Sequence, residues 1–192
     1  MTALSDSPRP LRADAARNRK SLLDAARDAF SRHGVSASLD EVARAAGVGP
    51  GTLYRHFPTR DQLVLAVIDD GLRGLHALGE GLLADPDPVA ALQRWLAAYI
   101  DQGGMYEGMA RTLVNPGPPE GKDACAMSRA AGAALIARAA AAGLIRAGTN
   151  VEDVLDLAAA IAWVGEQPQR DPRQQSRLLQ LLVDGLRSTS AR

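Results

Sequence analysis

Positions 50–60 read PGTLYRHFPTR, and most of the polar side chains there donate hydrogen bonds. Thr52 brings a hydroxyl, Tyr54 a phenol, Arg55 a guanidinium and His56 an imidazole. If Leu53 and Phe57 turn inward at helical spacing, then Pro50, Gly51, Thr52, Tyr54, Arg55 and His56 remain on the outer face or its edge. Donors gathered on one exposed helix face suit phosphate oxygens, and arginine also fits a guanine edge. Gly51 removes a side chain where a nucleic-acid backbone would approach closely. Arg60 stands in the first turn of the following helix, where the dipole favours an anion, so it is expected to clamp a further phosphate. Ser38, at the start of an earlier helix, has free backbone amides for the same purpose. Taken alone, Tyr54 and His56 read equally well as solvated surface residues.

Such a face needs elements to hold it. Leu22, Ala26, Ala29 and Phe30 line one side of a first helix expected from about Ala15 to His33, ended by Gly34. Ser38-Leu-Asp-Glu41 is a capping box that opens a short second helix, closing at Gly47. Gly49 and Pro50 suit the cap and first position of a third helix, which Phe57-Pro58 stops. Between the two lies Ala46-Gly47-Val48, a three-residue turn with glycine where a positive φ is expected. Leu39, Val42, Ala43 and Ala46 share one face, and Val48, Leu53 and Phe57 answer them. Two short helices cannot bury such faces alone, so they must pack steeply on the first. This is a helix-turn-helix over residues 38–57, with its second helix free to enter a DNA major groove.

The remaining chain is helical in pattern throughout, with alanine and leucine abundant and β-branched runs scarce. Thr59-Arg-Asp-Gln62 is a second capping box and starts a fourth helix running toward Gly79. Asp87-Pro88 starts a fifth, residues 105–114 a short sixth, and Asn115–Gly121 is a break. Further helices are expected over 123–142, over 151–165 with Asn150 as cap, and from Pro172 to about Arg187. The fold class is all-α, with about nine helices: a flexible arm at 1–14, a DNA-binding domain at 15–75 and a helical domain at 76–192.

The 22 basic and 22 acidic residues cancel, which excludes a chain that is basic all over. Residues 1–60 nevertheless hold 10 basic against 6 acidic, leaving 12 against 16 for the rest. Nucleic acid is therefore expected at one end only. The apolar runs Ala130–Ala137 and Leu157–Gly165 are far shorter than the roughly 20 residues of a membrane span. With no signal-like segment and a single cysteine, Cys125, the expectation is a cytoplasmic protein of a reducing compartment, away from membranes.

The segment SLDEVARAAGVGPGTLYRHFPTRDQLV closely resembles the DNA-binding domain of TetR-family transcriptional regulators. The shared elements are Ala46-Gly47-Val48, Thr52-Leu53-Tyr54-Arg55-His56-Phe57 and a basic residue, Arg60, opening the fourth helix. The resemblance implies phosphate contacts from Thr52, Tyr54, His56 and Arg60, and base reading from the start of the third helix. Gly49 and Pro50 depart from the hydroxyl and basic residues many members carry there, which shifts base reading toward Arg55 or the arm. Arg9, Arg12, Arg17, Arg19 and Lys20 are either a solvated leader or an arm for the minor groove.

In that family the C-terminal domain encloses a small-molecule pocket. Here its candidate lining is Trp95, Tyr99, Met105, Tyr106, Met109, Met127, Leu135 and Trp163, with Asp101, Glu107, Arg111 and Asn115 as polar candidates. Ordinary core packing is the competing reading, and periodicity does not separate the two; the Met and aromatic cluster tilts toward a pocket. The last two helices hold small residues at close-packing spacing (Ala158, Ala162, Gly165) and more leucine than one neighbour covers. Ala158, Ala162, Leu178, Leu182 and Leu186 are the candidate dimer interface, and the C-terminal half is similar to the SbtR-like subgroup.

The implied partners are a palindromic double-stranded operator, a second copy of the chain and an unidentified small-molecule effector. The implied activity is a dimeric repressor released by a small, largely apolar ligand. The alternatives are a regulator without a ligand, or a helical binding protein with a vestigial helix-turn-helix. No enzyme motif, metal cluster or cofactor loop is present in the sequence. Cys125 reads as an inert, partly buried thiol on a helix, with a redox sensor as the minor alternative.

Overall fold

A computed structural model describes residues 9–110, 122–165, 167, 171 and 173–188, with the backbone alone at 9–12, 103–110 and 122. Every named element is helical: α1 (Arg9–His33), α2 (Leu39–Ala45), α3 (Pro50–His56), α4 (Arg60–Leu82), α5 (Pro88–Ala110), α6 (Lys122–Ala141), α7 (Val151–Gly165) and α8 (Gln174–Leu186). None of these is long and apolar enough to cross a membrane. The chain divides into two compact units, with the boundary between Val67 and Ile68 inside α4.

In the first unit, Leu22, Leu23, Ala26 and Phe30 of α1 are buried together with Leu39, Val42 and Ala43 of α2, Leu53 of α3, Phe57, and Leu63, Val64 and Val67 at the start of α4. Capping sets the element boundaries. The Glu41 amide donates to Ser38 Oγ at 3.4 Å, and the Gln62 amide to Thr59 Oγ1 at 3.2 Å. Gly34 closes α1 at φ +68°. The start of α1 corrects the sequence reading: the helix begins at Arg9, so positions 9–14 of the expected arm are helical. Arg9 and Arg12 lie outside the described side chains.

The second unit packs α5 against α6, α7 and α8. Its core joins Leu82, Leu92, Trp95, Leu96, Leu135, Val154, Leu155, Ile161, Leu179 and Val183, among others. Asp87 Oδ1 accepts from the Val89 and Ala90 amides and fixes the first turn of α5. Asn150 Oδ1 does the same for Glu152 at the head of α7. A second correction concerns α5, which continues unbroken through Gly103 and Gly104 to Ala110, where a separate helix was expected over 105–114. The described residues therefore form eight helices. The expected break at Asn115–Gly121 lies outside the described residues. The connection after α6 is tied to the end of α8: the Arg146 amide donates to Leu186 O (2.9 Å) and the Ser188 amide to Leu144 O (3.1 Å).

Candidate nucleic-acid interface

The turn between α2 and α3 closes as a Schellman motif. The Val48 amide donates back to Ala43 O at 3.0 Å and the Gly47 amide to Arg44 O at 3.1 Å. Gly47 stands at φ +72°, a left-handed conformation that costs a residue with a Cβ roughly 1–2 kcal/mol. Gly49 then caps α3 in extended conformation and Pro50 takes its first position. At the far end the Phe57 amide donates to Leu53 O at 2.8 Å. With Leu53 and Phe57 buried, Pro50, Gly51, Tyr54 and Arg55 are exposed, Thr52 and His56 half-buried, and Ser38 exposed at the head of α2. Tyr54 is 48% exposed although it is a large aromatic side chain. A Cβ at Gly51 would meet nothing within 4 Å, so the space above it is open for a ligand backbone.

Arg55 lies along this face. Its Nε donates to Gly51 O at 3.1 Å and its Nη2 to Thr52 Oγ1 at 3.0 Å. The Thr52 hydroxyl thus accepts from Arg55 and keeps its own proton to donate outward. Both Arg55 bonds are exposed and cost little to exchange for a base edge or phosphate.

Arg60, expected to clamp a phosphate, has contacts of its own within the chain. Its Nη1 donates to Val35 O at 2.5 Å and to Ala37 O at 2.7 Å. The side chain is half-buried and braces the loop that delivers Ser38 to α2. Its Nη1 satisfies two carbonyls that no helix serves, so the side chain also supports the scaffold. A sequence pattern does not reveal this, because the acceptors lie 25 and 23 residues away.

Within the second unit the candidate pocket residues separate. Trp95 is fully buried and its indole N–H donates to Leu75 O at 3.0 Å. Tyr99 stacks on it at 5.5 Å, and burial pushes the Tyr99 phenol above its ordinary pKa. Leu135 is buried in the same core, whereas Met127 is at the surface. Trp163, 48% exposed, does not line an interior site, contrary to expectation. Asp101 is exposed. Met105, Tyr106, Met109 and Glu107 lie outside the described side chains, and Arg111 and Asn115 outside the described residues. Cys125 lies on α6 as expected but is exposed, where partial burial was expected.

The candidate dimer residues also divide. Ala158 and Ala162 are buried in the chain's own core and have no surface to offer a partner, which corrects that expectation. Leu178, Leu182 and Leu186 are half-buried against that core. The large apolar side chains left exposed on these helices are Leu157, Trp163 and Leu181.

An exposed, donor-bearing second helix on a tight glycine turn defines a helix-turn-helix DNA-binding protein. Residues 22–67 match the tetR family of bacterial regulatory proteins, and residues 87–188 match the C-terminal domain of SbtR-like transcriptional regulators. A TetR transcriptional regulator from Streptomyces coelicolor shares 39% identity over 90% of this chain and 99% of that one, with a TM-score of 0.79. A TetR transcription regulatory protein from Mycobacterium vanbaalenii shares 36% identity over 93% of this chain and 100% of its own, with a TM-score of 0.74. The HTH-type transcriptional repressor LfrR of Mycolicibacterium smegmatis is 35% identical over 92 residues, which cover 45% of this chain and 46% of the repressor's length. The chain belongs to the TetR family of transcriptional regulators.

Proposed function

We infer that this regulator is a dimeric repressor that holds a two-fold symmetric operator and releases it when a small, largely apolar molecule binds its C-terminal domain. The observation that carries the DNA reading is α3, whose apolar residues are buried while Pro50, Gly51, Tyr54 and Arg55 face solvent. Two such heads on a dimer would enter successive major grooves about 34–36 Å apart. Thr52, Tyr54, His56 and the amides behind Ser38 would hold phosphates, and Arg55 would read a base edge.

Release requires that the ligand bind the DNA-incompetent state more tightly, since equal affinity for both states shifts nothing. LfrR, 21% identical with a TM-score of 0.62, has been solved in complex with proflavine, which makes that compound a practical first probe for a ligand here. The packing of Trp95 favours a second reading, a regulator of the same fold without a small-molecule switch, because the side chain expected to line a pocket is sealed into the core.

Selection of random duplex DNA by the purified full chain at two salt concentrations tests the main reading. A palindromic site bound more weakly at high salt is expected. Tyr54→Ala should weaken binding to that site without changing the melting temperature, and unchanged binding would refute the role of α3. Proflavine displacing the operator would support the switch; operator-bound and free protein binding the dye equally would favour the second reading.

A further inference from the structure

The basic side chains of α1 differ in what neutralises them. Arg17 pairs with Asp14, and Lys20 and Arg27 each pair with Asp24. Arg32 donates to the carbonyl of Asp28 at 3.0 Å. Among the described residues no carboxylate faces Arg19. Its guanidinium carbon instead lies 5.3 Å from the centroid of the Phe57 ring. Phe57 is the C-cap of α3, and its ring also neighbours the His56 imidazole at 6.2 Å. An exposed cation with no acidic partner among the described residues is thus held beside the end of the helix that presents Tyr54, Arg55 and His56. An aromatic face attracts the charge without supplying oxygen acceptors, so the guanidinium donors stay free for a phosphate, which arginine binds in bidentate fashion.

We propose that Arg19 is a DNA-backbone contact, its guanidinium held on the Phe57 ring so that it grips a phosphate flanking the C-terminal end of α3. The proposal rests on the reading that α3 meets DNA. It adds a charge at this face beside that of Arg60, whose Nη1 is committed to Val35 and Ala37. Arg19 then belongs to an ordered helix and acts at the major-groove flank, a different role from a flexible arm in the minor groove.

The test is a salt titration of the full chain on a random-sequence 30-base-pair duplex, read by fluorescence anisotropy. R19M keeps an apolar stem on the ring and drops the charge, R19K keeps the charge, and R17M serves as comparator. R19M should flatten the plot of log K against log salt by about 0.9 per bound protomer. R19K and R17M should keep the wild-type slope. Weaker binding by R19M with an unchanged slope would mean that Arg19 only packs on Phe57, and would overturn the proposal. Equal flattening by R17M and R19M would overturn it in favour of diffuse charge. Should R19M fail to fold, R19Q is read in the same way. If the wild-type chain binds no duplex at all, the reading of α3 fails and the proposal with it. A normal wild-type slope that R19M leaves intact refutes Arg19 alone.

Discussion

Trp95 makes one glycine in α6 costly to replace and leaves another, on α4, free to change. A Cβ added at Gly132 would stand 2.5 Å from Trp95 Cη2 and 2.8 Å from Cζ3, distances that no carbon pair tolerates. The indole has no room to withdraw, because it is fully buried and its N–H is committed to Leu75 O. On another side, a Cβ at Gly79 would stand 2.6 Å from Ala131 Cβ and 3.1 Å from the indole nitrogen. Overpacking costs about 1–3 kcal/mol, and contact this close with an immobile ring belongs at the upper end. Replacing a helix-interior glycine by alanine returns about 1 kcal/mol. Gly132→Ala should therefore lose about 2 kcal/mol net, a fall of about 4–8 °C in melting temperature for a chain of this size. Gly74→Ala has nothing within 4 Å of the new Cβ and should raise the melting temperature by about 2–4 °C. Scanning calorimetry of both variants, and of Gly132→Ala in a Trp95→Leu background, separates the terms. Leucine lacks the ring atoms in question, so the penalty should vanish there. If Gly132→Ala stabilises as Gly74→Ala does, or costs as much beside Leu as beside Trp, the wedge is not what limits the site.

Other perturbations have equally definite signs. Gly47→Ala should cost about 1 kcal/mol in urea denaturation, because the left-handed turn at φ +72° remains required, and DNA affinity should fall with it. Arg60→Ala should lose about 2 kcal/mol from two charge-assisted bonds while leaving the salt slope of DNA binding unchanged; a shallower slope would restore the phosphate role. The Asp85 carboxyl is held below its ordinary pKa, chiefly by the Asp87 amide and then by Arg94. Its contribution is therefore complete above the ordinary carboxylate range, near about pH 4, and is lost as pH falls through the lower folded value. Asp85→Asn should flatten the acid limb of a stability profile and leave neutral stability lower, and an unchanged acid limb would refute the linkage.

The first unit was legible because local chemistry fixes its turns. Gly34 and Gly47 take the positive φ their positions demanded, and Ser38 and Thr59 cap the helices that follow them. The inward placement of Leu53 and Phe57 followed from helical period alone, and with it the exposure of Tyr54 and Arg55. Where the reading failed, tertiary partners decided the outcome. A separate helix was expected over 105–114, yet α5 runs through Gly103 and Gly104 to Ala110, although glycine is a weak helix former. Arg60 looked available for an anion until its two carbonyl partners came from a distant loop. Ala158 and Ala162 carry the small-residue spacing of a helix contact, and the contact they make is inside the chain, a distinction that spacing cannot express. Trp95 and Trp163 are the same residue type in similar helical sequence, yet one is sealed and the other half in solvent.

The clasp between the α6–α7 connection and the end of α8 bears on how the surface of the second unit meets anything else. Arg146 and Ser188 are joined to Leu186 and Leu144 by backbone bonds, Ser188 Oγ donates to Gly143 O at 2.6 Å, and Gln175 Nε2 donates to Ala162 O at 3.3 Å. The helices that carry Leu157, Trp163 and Leu181 are therefore set in register before any encounter. Whatever docks there orders side chains only, and the backbone entropy that a flexible surface surrenders on contact has already been lost in folding. Any complex formed at that surface would differ from its variants chiefly in how long it lasts, with little delay for rearrangement before it forms.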